Sequence, residues 1–530
     1  MIILMSGEFS KGFMSKLLLP AIIVAGVLLR IYHLGGQSLW FDELYAVWAD
    51  RLPVGGLVRE HLASGHPPLY YLVLRGWLML GTDEFQLRFF SVIAGAATIW
   101  FVYLAGKELY SRNAGLWGAA FTSLSPLLVW YSRAATFYSF MIALATLSFY
   151  LLVRSCRRGG WLNWAGYTAA TLAVFLTYFF AGVLLVAGAG VFLFLRSRDE
   201  TRLVPWLVCN SLLAVAAAGS FIASKQAISE STSRLHVPGT GELLRLIYGI
   251  ALAPFVLSAG PLDDAINYRG TEGAPKSHLL ALLILIVAAA AVLAVSARAR
   301  RWSAGKETMA VCLYALILVA GPLALQLANQ STLSGRFYVW AAPMVMLLAG
   351  AVVAAIPGRK QWFAGGVITF ALFVLAVWTV AWLPDRDADW RGLMGAVADQ
   401  KQEGDRMLCF PLHNCVIAAG YYLPGDMSIV GGMPSMSDSR VFIMPEGAGW
   451  TGYRSGYWAG TGASPPLGGG ELEARLSRDL AGADRVWLVA EPEMLKKYPS
   501  AGAALGGGWT EAGSWDYGYF RLGLFERRND

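Results

Sequence analysis

Asp42 and Glu43 stand side by side in RIYHLGGQSLWFDELYAVWAD, a few residues beyond the end of a first long apolar run. A carboxylate placed there has the chemistry of a general base toward a hydroxyl group. Consecutive helical residues point about 100° apart, so the two would not share one task. One can face a cavity while the other braces the loop, binds a metal or caps the helix that follows; solvated loop charges are the plain alternative for both. His66 precedes a proline pair, Asp83, Glu84 and Arg88 open the next apolar run, Arg133 and Tyr138 lie in WYSRAATFYSF, and Arg336 lies in LSGRFYVW. Any one of these cations can simply snorkel from the end of a membrane span. As a set they suit transfer of a group from a lipid phosphate: a base for the acceptor hydroxyl and positive charge for the departing phosphate. Phosphate leaves readily, so a second carboxylic acid to protonate it is dispensable, unlike in a glycosidase.

The elements that must hold these residues are read from composition. The chain has 530 residues, of which 56% are hydrophobic and only 15% charged, with a mean hydropathy of +0.51. These values exclude a soluble enzyme. Apolar runs close to the roughly 20 residues that cross a bilayer recur at 17–34, 88–106, 113–130, 137–153, 163–179, 181–196, 204–222, 279–297, 308–328, 338–356 and 362–383. The fold class expected is therefore an α-helical polytopic membrane protein of about eleven transmembrane helices, occupying 1–383, followed by a C-terminal soluble α/β domain at 384–530.

The net charge of +7 does not form the single basic patch of a nucleic-acid binder. Its lysines and arginines fall in short clusters: Lys11 and Lys16, Lys107 and Arg112, Arg154 to Arg158, Arg196 to Arg202, Arg298 to Lys306, and Arg359 with Lys360. With the N-terminus inside, every cluster lies on the inner side. That agreement requires HPPLYYLVLRGWLML (66–80) to lie at the interface; if it crossed, every later loop would invert. The inner loops are too short for a nucleotide-binding domain. The large pieces, loop 35–87, loop 223–278 and the C-terminal domain, all face outward, which expects a plasma-membrane or inner-membrane protein with its C-terminal domain periplasmic or extracellular.

In the tail, 406–412, 427–432, 485–492 and 519–528 read as strands, with helical spacing in NCVIAAGYYL and ELEARLSRDL between them. Trp450, Tyr453, Tyr457 and Trp458 lie in a glycine-rich stretch, suited either to stacking on sugar rings or to packing a long loop. Cys409 and Cys415 can bridge in an oxidising compartment or remain two separately buried thiols. No P-loop is present.

The order of WFDE, GHPPLYYLVLRGWLMLG, DEFQLRFFSVIAGA, GLWGAAFTSLSPLLVWYSRAATFYSF and RFYVWAAPMVMLLAGAVV, with ADWRGL after the last span, resembles bacterial relatives of protein O-mannosyltransferases and aminoarabinose transferases. These are membrane glycosyltransferases of the GT-C fold. The resemblance covers residues 15 to 200 well and the later motifs more loosely. It implies a polyprenyl-phosphate-linked sugar donor, a lipid, glycan or protein acceptor, transfer at the outer membrane face and inversion at the sugar carbon. By motif, Asp42 would be the base with Glu43 beside it, and His66, Arg88 and Arg336 would serve donor binding. Many relatives carry an acidic residue in the motif aligned with SRAATFYSF, where this chain has Ala134, Ala135 and Thr136. The carboxylate that a divalent metal bridged from that loop would use is thus missing, which argues against such a metal without excluding one, and no cofactor is assigned.

Three other readings remain open in the sequence. A coupled transporter or flippase would place charges at span centres and broken helices in matching halves, which are not seen. A scaffold would use the tail for binding and the spans as an anchor. A ligase moving a whole glycan from a polyprenyl diphosphate would need a wider groove and more positive charge.

Overall fold

The structure is a computed structural model. It describes residues 2–63, 66–196, 202–231, 305–328, 335–381, 389–410, 412–423, 427–434, 441–443, 467, 469–497, 499–518 and 520–528. Helices in chain order are α1 (Ile2–Ile31), α2 (Phe41–Asp50), α3 (Val54–Ala63), α4 (Leu69–Leu78), α5 (Glu84–Leu109), α6 (Arg112–Leu124), α7 (Pro126–Ser132), α8 (Phe137–Arg158), α9 (Trp161–Phe175), α10 (Val183–Leu195), α11 (Leu203–Ser231), α12 (Lys306–Ala328), α13 (Ala342–Ala354), α14 (Lys360–Ala381), α15 (Trp390–Gln400), α16 (Leu412–Tyr422), α17 (Gly469–Asp479), α18 (Pro492–Lys497) and α19 (Pro499–Ala503). Strands are β1 (Arg406–Phe410), β2 (Ser428–Pro434), β3 (Val441–Ile443), β4 (Arg485–Ala490), β5 (Trp509–Tyr517) and β6 (Phe520–Arg527). The chain forms two compact units: Met1–Leu34 with His61–Pro384, and Gly35–Glu60 with Asp385–Asp530.

The first unit is helical. Asp83 and Ser111 open α5 and α6 as N-caps, accepting from the backbone N–H of Gln86 at 2.9 Å and of Ala114 at 3.2 Å. Among the described residues four helices are long and apolar enough to cross a membrane, Glu84–Leu109, Phe137–Arg158, Lys306–Leu325 and Lys360–Ala381. Shorter apolar helices are Leu17–Ile31, Phe179–Leu195, Leu203–Gly219 and Tyr338–Ala354. The run expected as one span at 113–130 is instead two helices broken at Ser125. Pro126 has no N–H to give and its ring would strike the preceding turn, so it starts a new helix of seven residues. The helix within 66–80, α4, has only ten residues, about 15 Å of rise against a hydrocarbon core of about 30 Å. The expected span at 279–297 and nearly all of loop 223–278 lie outside the described residues.

Glycines set how closely the helices approach. A Cβ on Gly106 of α5 would stand 2.7 Å from the Cα of Gly115 in α6, and one on Gly350 of α13 would fall on the backbone of Gly118 in α6. Small residues at such crossings let backbones meet where lipid gives no hydrophobic drive. At the far end of α5 and α8, Arg158 forks onto Glu108 at 2.9 and 2.6 Å, and Arg157 reaches Glu307 of α12 at 3.0 Å.

The second unit is built on a six-stranded sheet of order β3-β2-β1-β4-β6-β5. β1 pairs in parallel with β2 and β4, and β4, β6 and β5 follow as antiparallel neighbours. Leu472 and Leu476 of α17, with Leu480 just past its end, pack in one core with Leu408, Phe410, Val486 and Ala490 on one sheet face. The four strands expected in the tail are β1, β2, β4 and β6. β5 was not legible because it is an edge strand with Thr510, Glu511, Ser514 and Asp516 along it, more polar than a buried strand and closed onto β6 by a turn at Gly518, φ +65°. Cys409 at the end of β1 and Cys415 in α16 form a disulfide, their Cα atoms 6.1 Å apart. Residues 35–60, expected as a loop of the membrane part, pack within this unit.

Candidate active site

Asp42 and Glu43 occupy the first turn of α2, the end where the helix dipole favours negative charge. Their surroundings differ as adjacent helical positions should. Glu43 is fully buried and its carboxylate accepts from the backbone N–H of Trp40 at 3.3 Å. That is the acidic half of a capping box, the helix-capping role weighed in the sequence; an indole has no acceptor with which to complete the other half. Asp42 is half-buried and keeps part of its surface at the start of the helix.

In the first unit the remaining candidates fall into two groups. Arg88 and Arg133 both bind the chain where α1 ends. Arg88 Nη1 donates to the carbonyl of Leu34 at 2.9 Å, and Arg133 Nη1 donates to those of Arg30 at 2.8 Å and Tyr32 at 2.5 Å. Cations suit a helix C-terminus, whose last carbonyls lack intrahelical partners. Between those carbonyls His33 takes a left-handed φ of +50°, an uncommon conformation for a residue other than glycine. The two arginines thus fix an otherwise costly turn.

His66 and Tyr138 belong to an aromatic run. The His66 ring meets Phe137 edge-on at 6.0 Å, Phe137 lies 4.2 Å from Tyr138 and 6.0 Å from Tyr178, and Tyr178 lies 5.1 Å from Trp340. The backbone N–H of Leu69, just after the proline pair, donates to the carbonyl of Leu176 at 2.8 Å. Three separately quoted motifs, those around His66, Tyr138 and Arg336, therefore meet through Tyr178, which sequence reading passed over as part of an apolar run. The Arg336 backbone belongs to a 3-10 turn, Gly335–Ala341; its side chain lies outside the described residues, as do Trp450, Tyr453, Tyr457 and Trp458. His61, five residues before His66, is fully buried and stacked on Tyr71 at 3.5 Å. Burial, and secondarily the nearby His66, pushes its pKa down to about 3.

Arg30 was also missed, although a cation in the last turn of an apolar run signals it. It is fully buried, donating to the carbonyls of Gly26 at 2.9 Å and Ser123 at 2.7 Å. Its Nε has no hydrogen-bond partner, and Arg30 lines a small cavity of mixed character with Gly95, Thr98, Thr122, Leu128, Ser132, Ser139 and Ile142. Among the described residues, no three His, Cys, Asp or Glu side chains gather as a metal-binding group.

Comparison with known proteins bears on the fold that carries these residues. Residues 65–221 match the dolichyl-phosphate-mannose-protein mannosyltransferase family. An uncharacterized protein of Aquifex aeolicus (strain VF5) is 30% identical over 201 residues, which are 36% of this chain and 40% of that protein. The apo structure of ArnT from Cupriavidus metallidurans superposes with a TM-score of 0.56 at 12% identity, covering 97% of this chain and 98% of that one. The same protein bound to undecaprenyl phosphate gives 0.55 at 12% identity, over 95% and 97% of the two chains. The archaeal oligosaccharyltransferase AglB from Archaeoglobus fulgidus, in complex with an inhibitory peptide and a dolichol-phosphate, gives 0.51 at 12% identity, over 96% of this chain and 74% of that one. These likenesses establish the GT-C-like helical membrane fold with a C-terminal sheet domain that the sequence led us to expect.

Proposed function

We propose that this chain transfers a sugar from a polyprenyl-phosphate donor to an acceptor hydroxyl, with inversion at the sugar carbon, at the outer face of the plasma or inner membrane. The Asp42 carboxylate takes the acceptor O–H proton, and the acceptor oxygen bonds to the anomeric carbon. The bond from that carbon to the phosphate oxygen breaks, its electron pair leaving on the polyprenyl phosphate. Arg336 is the proposed ligand of the donor phosphate, with His66 and Tyr138 on the aromatic run beside it as donor-binding groups. Arg88 and Arg133 act one step removed, by holding the turn that ends α1.

The observation that carries this reading is the division of labour in the first turn of α2. Glu43 is buried with its carboxylate accepting from the Trp40 N–H, while Asp42 is half-buried and keeps part of its surface. The family match and the lipid phosphates in the ArnT and AglB structures support the donor class. The Cys409–Cys415 bridge supports an outward C-terminal domain, since such bonds persist in oxidising compartments. The likeness to an oligosaccharyltransferase keeps transfer of a whole glycan as a second reading, for which a polyprenyl diphosphate is the donor to test.

The test is transfer of radiolabelled sugar from a panel of synthetic polyprenyl-phosphate and polyprenyl-diphosphate sugars into membrane extracts, by purified wild type and Asp42→Asn. One monophosphate donor should turn over with wild type and fall at least about 10³-fold with the variant, within the range for loss of a general base. Turnover by Asp42→Asn at the wild-type rate would remove the proposed base, and turnover of diphosphate donors alone would establish the ligase.

A further inference from the structure

The segment that carries Asp42 is poorly suited to hold itself still. It begins Gly35-Gly36-Gln37-Ser38, and two glycines in succession leave the unfolded backbone its greatest freedom. What fixes it in the structure comes from the C-terminal part of the same unit. The Arg391 guanidinium spreads over three successive residues, donating to the carbonyls of Gly35 at 3.1 Å, Gly36 at 3.5 Å and Gln37 at 3.3 Å. The backbone N–H of Trp390 donates to Ser38 Oγ at 3.2 Å, and the backbone N–H of Leu39 donates to the Tyr422 hydroxyl at 2.7 Å. Beyond α2, Arg51 Nη2 donates to the carbonyl of Gly420 at 2.8 Å. The base-bearing helix is therefore tied at both ends.

The ties are themselves anchored. Asp389 caps α15 through the backbone N–H of Gly392 at 3.0 Å, and Trp390 is fully buried with its ring 4.6 Å from that of Phe520 on β6. Gly420 and Tyr422 lie in the last turns of α16, which the Cys409–Cys415 bridge fastens to β1. Two motifs far apart in sequence, QSLWFDE and ADWRGL, are thus two faces of one clamp. We infer that the C-terminal domain serves as the positioning device for Asp42, with Tyr422 and Arg391 as positioning residues that never touch substrate. This rests on the proposed role of Asp42. Catalytic geometry tolerates displacements of about 0.5 Å, and a misplacement of about 1 Å can cost about 10²-fold in rate.

The experiment uses the full-length protein in nanodiscs with three variants, Tyr422→Phe, Arg391→Ala and Arg391→Lys. Hydrogen exchange over residues 36–45 is read beside steady-state transfer from the polyprenyl-phosphate donor. Tyr422→Phe and Arg391→Ala should speed exchange at Leu39 and the first turn of α2 by about tenfold or more. They should lower kcat by about ten- to a hundredfold, within the range for a misplaced catalytic group, leave the donor KM within about twofold, and leave exchange in β1, β4 and β6 unchanged. Arg391→Lys should recover part of kcat, because a single ammonium can reach some but not all of the three carbonyls. Unchanged exchange at 36–45 would overturn the clamp, whatever the activity. Faster exchange with an undiminished kcat would overturn its part in catalysis. Absence of transfer by wild type would instead bring down the function reading, so the two failures are separable.

Discussion

Adjacent residues of one chemical type can have unrelated jobs, and the first turn of α2 makes this testable. Glu43→Ala removes the carboxylate that accepts from Trp40 N–H, so it should cost about 1 kcal/mol of stability in the unit that contains α2, as lost caps do. The amide of Glu43→Gln can still accept that bond, and this variant should keep most of both stability and transfer. Asp42→Asn should do the reverse, sparing stability and abolishing transfer. Chemical denaturation followed in the same preparations as the assay separates the two patterns, and equal loss of stability in both variants would refute the division. A second residue-scale expectation comes from His61. Burial holds its pKa near 3, below the ordinary 6.5, so the folded state keeps it neutral while the unfolded state takes a proton. Its contribution is complete above pH 6.5 and is lost as pH falls toward 3. Glu60, raised by burial to about 6, has the opposite sign: its contribution is present below its ordinary 4.5 and lost as pH rises through 6. The clean observable is therefore the difference in thermal stability between wild type and His61→Asn, which should be flat above pH 6.5 and shrink steadily from pH 6.5 to 4. A difference independent of pH would place the proton elsewhere.

At the scale of elements, close backbone contact explains what the helices can tolerate. At Gly350 a methyl group would fall on the backbone of Gly118, with no flexible side chain to move aside. Gly350→Ala should therefore destabilise the helical unit by about 1 to 3 kcal/mol, as overpacking does, despite alanine's better helix propensity. Thermal unfolding in detergent checks this against Gly366→Ala, where nothing lies within 4 Å; equal effects would mean that the crossing is loose. The same scale shows what was legible in the sequence. The apolar runs at 88–106 and 137–153 gave α5 and α8 because long hydrophobic stretches bounded by charges have one reading in lipid. The break at Ser125 escaped a hydropathy count, which does not register that Pro126 withholds an N–H. At the site, Asp42 and His66 were visible as polar residues beside apolar runs. Tyr178 was hidden because an aromatic within TYFFAG looks like any other span residue, and only packing against Phe137 and Trp340 distinguishes it. Ser38, Arg391 and Tyr422 were hidden for another reason: more than 350 residues separate Ser38 and Trp390 along the chain, and no local pattern marks such a pair.

At the scale of the whole molecule, the Cys409–Cys415 bridge links compartment to stability. Spacing alone left the two cysteines open to either a bridge or two buried thiols, because six residues of separation suits both. In the fold, β1 runs its end past the start of α16, and both cysteines are fully buried at that junction. A cross-link closing so short a loop stabilises by about 2 kcal/mol through the unfolded chain. It forms only if the domain is made on, or carried to, the oxidising side of the membrane. Protein extracted from cells with a thiol-blocking reagent present should therefore show the 409–415 peptide bridged, with Cys156 and Cys209, buried among the helices, alkylated only after denaturation. Cys409→Ser with Cys415→Ser should lower the denaturation midpoint of the sheet domain by the equivalent of about 2 kcal/mol and leave the helical unit unchanged. If the peptide is found reduced in cells, the orientation inferred from the positive charges is reversed. The proposed base would then face the cytoplasm, and a donor presented on the outer leaflet could not be its substrate.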